Sequence, residues 1–336
     1  MTDNKIIIIA EAGVNHNGNL DMARRMVVEA KKAGADYVKF QTAVPELVIS
    51  SIAPKAAYQK ETTGEGESQL DMCRAIHLPV TDYAGLAELC RREGIGFMST
   101  PFDLVSIDVL SELGMDYWKI PSGEITNLPY LRKIASKGGR VIMSTGMSEM
   151  DEVEAAVEVL ESGGISRRDI ILLHCNTQYP TPMCDVNLKA MERLKETAVG
   201  GVGYSDHTVG ITVPIAAAAM GAKVIEKHFT LDKNLSGPDH RASLDPVELA
   251  AMVKSIREVE DALGDGCKRV TASERPNIEV ARKSIVASRD IKAGETLTDE
   301  NITVKRPGNG LSPMLWDDVI GTVAKRDFAY DSLIEL

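Results

Sequence analysis

"GVGYSDHTVGITVPIAAAAMGAKVIEKHFT", residues 201–230, places two short strand-like runs on either side of a small-residue helical pattern. The runs at 201–207 and 224–230 have the length and apolar content of buried strands, and 211–220 reads as the helix between them. Strand, helix and strand in so short a space is one βαβ unit, with its two strands parallel. Outward from this unit the pattern recurs. Strand candidates lie at 5–13 (KIIIIAEAG), 37–42 (YVKFQT), 96–102 (GFMSTPF), 117–123 (YWKIPSG), 141–146 (VIMSTG) and 170–176 (IILLHCN). The helical patterns that follow the strands are 19–33, 82–94, 104–113, 127–137, 150–163, 187–197 and, after the last strand, 245–264. Eight such units in ~260 residues have the count and length of an α/β (β/α)8 TIM barrel. A doubly wound open sheet is the alternative, but eight units without a glycine fingerprint favour closure.

Two departures from even spacing carry information. Residues 43–80 form a long insertion after the second strand, on the barrel face where active sites are built. After a barrel at 1–264, a polar link at 265–283 leads to a small β-rich module at 284–336. Its segment "VKRPGNG", 304–310, sets Lys305 and Arg306 against turn residues, which predicts a bent loop with a fixed double positive charge.

The 336 residues are 44% hydrophobic and 26% charged, with a net charge of −11. That balance describes a globular protein and argues against a general nucleic-acid or anionic-membrane binder, since both need a basic surface. It leaves room for an anionic substrate in a local basic pocket. Five scattered cysteines without a C-x-x-C read as reduced thiols in a cytoplasmic protein. No stretch approaches the ~18 apolar residues of a membrane span, and Ile6 to Ala10 is too short for a signal sequence.

Polar residues at barrel strand ends are candidates for chemistry. Here they are Glu11, Asn15 and His16; Lys39 and Gln41; Ser99 and Thr100; Lys119, Ser122 and Glu124; Asn176, Thr177 and Tyr179; Ser205, Asp206 and His207; and Glu226, Lys227 and His228. Any one of them could be a hydrogen-bonded structural group. Recurrence on seven strands is harder to dismiss. Lys39 and Lys119 each interrupt an apolar strand, and a lysine facing a barrel interior needs an anion or must lose its proton. With Thr100, Ser122 and Ser205 nearby they suggest a cradle for phosphate or carboxylate. The alternatives are a Schiff-base lysine and a strand-end lysine reaching water. His207 and His228 end consecutive strands, which lie ~4.8 Å apart, so the two imidazoles could share one open metal site. The alternative is a pair of hydrogen-bonded core histidines. The loop at 231–246 should bring Asp239, His240 and Ser243 over the barrel mouth, as sugar ligands, acid–base groups or a solvated loop with a helix cap.

"AEAGVNHNG", "VKFQT", "STPFD", "KIPSGEITNLPYL", "STGM", "LLHCNTQYPTP", "GYSDHT", "EKHFT", "GPDH" and "KRPGNG" together resemble the sialic acid synthase family. The resemblance runs the length of the chain, in order. It implies a TIM barrel joined to an antifreeze-like (SAF) domain. It also implies an enzyme that condenses phosphoenolpyruvate with an N-acetylated mannose-type sugar, forming a nine-carbon 2-keto acid and releasing phosphate. By the same resemblance, His207 and His228 match ligands of a divalent metal, Mn²⁺ or Mg²⁺. Lys39, Thr100, Lys119, Ser122 and Ser205 match groups around phosphoenolpyruvate. Glu11, Gln41, Tyr179 and Asp239 match groups that hold the acceptor sugar, and Glu124 matches a carboxylate beside the reacting centre; either Glu11 or Glu124 would act as the base. Many family members read "HCTN" where this chain reads "HCNT" at 174–177, so Thr177 takes the place of a phosphate-contacting asparagine and Asn176 is one position off. Both remain candidates. "KIPSGEITNLPYL", "EKHFTLDKNLSGPDHRASLDP" and "ARKSIVA" look closest to the family's legionaminic acid branch, whose acceptor is a 2,4-diacetamido-2,4,6-trideoxy-mannose. The N-acetylneuraminate branch, using N-acetylmannosamine, is the runner-up. The resemblance further implies a domain-swapped homodimer in which Arg306 serves the partner's active site.

Overall fold

A computed structural model of the chain describes residues 5–56, 59–60, 66 and 68–336. They form two compact units that divide at Gly264 and Asp265.

In the first unit eight parallel strands make one sheet, β3-β2-β1-β8-β7-β6-β5-β4. The strands are β1 Ile7–Gly13, β2 Tyr37–Thr42, β3 Gly96–Pro101, β4 Tyr117–Ile120, β5 Arg140–Ser144, β6 Ile170–His174, β7 Gly201–Asp206 and β8 Val224–His228. First and last strands pair directly, with Glu11 opposite His228, which is what closes a TIM barrel. β3 and β4 complete the ring side by side, but no regular ladder joins them among the described residues.

Period-two alternation explains the two layers of packing. In β1, Ile8, Ala10 and Ala12 point outward into the shell of helices. Ile7 and Ile9 point inward, where Ile9, Met98, Tyr117, Ile142, Leu173 and Val224 fill the bore. The same parity brings Glu11, Lys39, Thr100, Lys119, Ser144, Ser205, Glu226 and His228 to the inside, above that apolar plug.

Helices begin where the sequence supplies caps. Asn19 accepts from the Met22 amide before Leu20–Lys32, and Asp245 and Glu248 form a capping box at Pro246–Leu263. Each expected helix is present, most of them shorter by a residue or two. Several strands also stop early, so Asn176, His207 and Thr230 lie beyond the ladder. β4 ends at Ile120 because Pro121 supplies no amide to the next bond, and a short turn then carries Ser122–Glu124. Of the expected insertion at 43–80, the described residues include helices Pro45–Val48 and Gln69–Ile76, bridged by Arg74 and Glu46 at 2.7 Å; positions 57, 58, 61–65 and 67 lie outside the described residues.

The second unit has its own core of Ile285, Ala287, Ile291, Leu297, Ile302, Val319, Ala324, Phe328 and Ile334. β9 Ser284–Ala287 pairs antiparallel with β10 Ile302–Lys305, and isolated bridges tie the rest. The polar link at 265–283 carries helix Arg275–Ala281 and groups with this unit. Gly308 lies so close to that helix that a Cβ would come within 2.6 Å of the Arg282 side chain. The double positive charge expected of the loop is halved: Lys305 is ion-paired with Asp331 and lies over the Tyr330 ring. Arg306 remains exposed, its Nε donating to the Ala281 carbonyl at 3.0 Å.

Candidate active site

A cavity of about 460 Å³ opens at the C-terminal ends of the strands. Its floor is a row of four buried charges. Lys39 Nζ lies 2.7 Å from Glu11 Oε2 and 3.7 Å from Glu226 Oε2, and donates to Thr100 Oγ1 at 3.0 Å. Lys119 Nζ donates to Ser144 Oγ at 2.7 Å and lies 3.7 Å from Glu226 Oε1. Ser205 Oγ donates to the same Glu226 oxygen at 3.0 Å. The order Glu11, Lys39, Glu226, Lys119 therefore alternates in sign across the bore.

Burial opposes all four charges, and the neighbours decide the outcome. Burial alone would lower Lys39, but Glu11 and Glu226 hold its pKa above the ordinary lysine range. Burial lowers Lys119, which Glu226 offsets only in part. Burial raises Glu11 despite Lys39. For Glu226 the burial penalty is outweighed by the two lysines, and its pKa falls. The anion that a lysine in the bore needs is thus supplied in part by the chain's own carboxylates, Glu11 and Glu226. An incoming phosphate or carboxylate must share or displace those partners.

Above this floor stand the two histidines, ring centroids 5.3 Å apart, with Tyr179 stacked on His207 at 4.0 Å and edge-on to His228 at 5.3 Å. His207 Nδ1 is bonded to the Asn176 carbonyl. A carbonyl only accepts, so that nitrogen carries the hydrogen and Nε2 keeps its lone pair. His228 Nδ1 is buried without a hydrogen-bond partner, 3.8 Å from Asp239 Oδ2. Burial brings His207 down to about 4 and His228 well below its ordinary value, so both are neutral near pH 7. Neutral imidazoles, an orphaned nitrogen and a nearby carboxylate fit a divalent cation. Among the described residues no group of three or more His, Cys, Asp or Glu is arranged to enclose one, so positions would stay open for other ligands.

At the rim, Gln41 Nε2 donates to Glu11 Oε1 at 3.0 Å. Ser122, Thr177, Tyr179 and Asp239 line the cavity, and burial, with the Glu11 charge, raises Asp239 to about 7. Ser122 Oγ accepts from the Gly146 amide at 2.9 Å. A Cβ on Gly146 would strike Thr177, Ser122 and Cys175 at 2.7–3.0 Å, so the glycine keeps this wall open.

Glu124, Asn176 and His240 lie off the cavity wall. Glu124 does not line the cavity; its carboxylate accepts from Asn127 Nδ2 at 2.6 Å. Asn176 turns its side-chain oxygen to the Gln178 amide at 2.7 Å, leaving Thr177 as the member of that pair on the cavity wall. Arg306 belongs to the second unit. His240, expected over the mouth, is buried against Thr230 at 2.7 Å. Two further residues take part in the floor: Glu226, one of the strand-end polar residues, and Ser144, at the end of β5. Their signal was inward parity on β8 and β5.

The NeuB family profile matches residues 26–268, and the SAF domain profile matches residues 282–335. The chain belongs to the NeuB family. It is 51% identical over 330 residues, 98% of this chain and 99% of the other, to an N,N'-diacetyllegionaminic acid synthase of Campylobacter jejuni. It is 47% identical to one of Legionella pneumophila, over 94% of this chain and 89% of that one. Among solved structures it is similar to an N-acetylneuraminic acid (sialic acid) synthetase from Leptospira borgpetersenii. That match has a TM-score of 0.71 and 36% identity over 82% of this chain and 91% of that chain. As a NeuB-family member of this kind the chain is a synthase, with a TIM barrel and an SAF domain.

Proposed function

We propose that this NeuB-family enzyme condenses phosphoenolpyruvate with a 2,4-diacetamido-2,4,6-trideoxy-mannose, giving a legionaminate-type nine-carbon 2-keto acid and phosphate in the cytoplasm. The observation that carries the reading is the stacking, in one cavity, of a buried two-lysine floor beneath a neutral histidine pair. Full-length identity to synthases named for the diacetylated product favours this acceptor over N-acetylmannosamine.

His207 and His228 would hold Mn²⁺ or Mg²⁺, leaving the ion's other positions to water and substrate. When bound, the ion would supply Lewis acidity at the sugar aldehyde. Lys39 and Lys119 hold the phosphate and carboxylate of phosphoenolpyruvate, with Thr100, Ser122, Thr177 and Ser205 donating to their oxygens. C3 of the enolpyruvate then bonds to the aldehyde carbon with the electron pair of its C2–C3 double bond, while the carbonyl pair moves to the aldehyde oxygen, which takes a proton. Water adds at C2, and the C2–O bond to phosphate breaks with both electrons leaving on phosphate oxygen. The two lysines stabilise that charge as it moves. Glu11 faces the cavity whereas Glu124 is bonded to Asn127, which supports Glu11 as the group that accepts a proton and, with Gln41 and Tyr179, holds the acceptor. The family resemblance supports a homodimer in which Arg306 acts in the partner's site.

The test is phosphate release with each candidate sugar. Chelator-treated enzyme should be inactive, and Mn²⁺ or Mg²⁺ should restore turnover, faster with the diacetamido sugar. Full activity in a metal-free sample, or preference for N-acetylmannosamine, would overturn the corresponding part of the reading. The Schiff-base alternative predicts a covalent adduct on borohydride reduction with a keto substrate.

A further inference from the structure

Behind the wall that carries the two histidines lies a second ion pair. Lys227 Nζ and Asp206 Oδ2 are 2.5 Å apart, both side chains fully buried. They are register partners on β8 and β7, the last pair of that ladder. Each is the chain neighbour of a histidine: Asp206 precedes His207, and Lys227 precedes His228. By strand parity the histidines face the cavity and the ion pair faces the helices.

The pair reaches further than its own two residues. Asp206 Oδ1 accepts from the Thr208 amide at 3.2 Å, and Oδ2 accepts from Thr208 Oγ1 at 3.0 Å. Lys227 Nζ also donates to the Thr208 carbonyl. Residues 206 to 208 are thus clamped on both sides of His207, which itself lies beyond the ladder. Strand pairing fixes His228 to its neighbours, but nothing in the ladder fixes His207 to His228.

A buried ion pair is a poor way to stabilise a fold, because desolvation consumes most of its attraction, and apolar replacements are often as stable or more so. It does fix geometry. We infer that Asp206 and Lys227 are positioning residues that set the spacing and orientation of His207 relative to His228 for a shared divalent cation. This rests on the metal reading proposed above.

The experiment separates fold from positioning. Chelator-treated wild type, the double variant Asp206→Leu/Lys227→Met and the single variant Thr208→Val are titrated with Mn²⁺ alone. Free Mn²⁺ is followed by electron paramagnetic resonance and melting by circular dichroism. Asp206→Asn alone leaves a buried lysine uncompensated and should melt early. The double variant should melt near wild type yet bind Mn²⁺ about 10–100-fold more weakly, the usual cost of losing groups that orient metal ligands. Thr208→Val keeps the ion pair, removes one clamp and should weaken binding several-fold. If the double variant folds, unchanged Mn²⁺ affinity in it overturns the inference; if it does not fold, unchanged affinity in Thr208→Val does. Wild type that binds no Mn²⁺ overturns the metal reading itself, a different result from equal binding by all three proteins.

Discussion

Glu226 is the residue on which the floor of the cavity turns, because it stands 3.7 Å from both lysines. Glu226→Gln keeps the shape and removes the charge, leaving more buried positive charge than the remaining carboxylate can compensate. Removing one partner from a buried ionic cluster typically costs about 3–5 kcal/mol, so the variant should melt well below wild type. Added inorganic phosphate should then raise its melting temperature by more than it raises that of wild type. Thermal melts with and without phosphate check this, and equal phosphate shifts would mean that the lysines are not an anion site. Residue by residue, the sequence was most informative where a residue type clashed with its surroundings. Lys39 and Lys119 stand out because a charge inside an apolar strand has to be answered. Glu226 was visible but idle, since "EKH" offers three polar residues and only barrel parity tells which two point inward.

At the scale of elements, strands and helices were legible from period and caps, and their ends were not. β6 stops at His174, so alternation no longer governs Asn176 and Thr177; the turn's own hydrogen bonds send Asn176 to the Gln178 amide. The same limit applies to Glu124, whose direction is set by the turn after Pro121. The loop after β1 makes a pH prediction. His16 is sealed within it, its Nδ1 accepting from the Gly18 amide at 3.2 Å and its Nε2 without a partner. Burial, helped by nearby His77, lowers its pKa from 6.5 to about 4. Below 6.5 the unfolded chain takes up a proton that the folded chain refuses, so stability falls as pH drops from 6.5 toward 4. The contribution of this one residue is up to about 3 kcal/mol at about 1.4 kcal/mol per pKa unit. His16→Asn, which retains an acceptor for Gly18, should melt with a shallower acid dependence than wild type between pH 6.5 and 4. Parallel slopes would show that His16 is not the group titrating.

For the whole molecule, the barrel was legible because eight repeats of one unit leave few architectures, whereas the second unit was legible mainly by its difference. Its short strands and isolated bridges give weak periodicity, and the helix at Arg275–Ala281 hides in polar sequence. The proposed exchange of Arg306 between subunits is a question for complementation. Arg306→Ala and His207→Ala chains should each be inactive. Mixed under subunit exchange, they should recover activity in heterodimers, where one site combines intact histidines with an intact arginine. Phosphate release by purified heterodimers is the measurement, and well-folded, exchanged heterodimers that stay inactive would remove the trans role.

The pairing of β1 with β8 also orders events in time. As a nascent chain leaves the ribosome, β1 can meet β2 almost at once, but its other edge stays bare until residue 228 has been made. At roughly 5–20 residues per second that wait, near 190 residues long, lasts on the order of ten to forty seconds. The helix Pro246–Leu263 must follow before Arg257 can reach the Ile6 carbonyl and Asp36 and fasten the start of β1. Throughout synthesis of the barrel, then, its first strand is an unguarded edge rich in isoleucine and alanine, the kind of template that chaperones exist to cover.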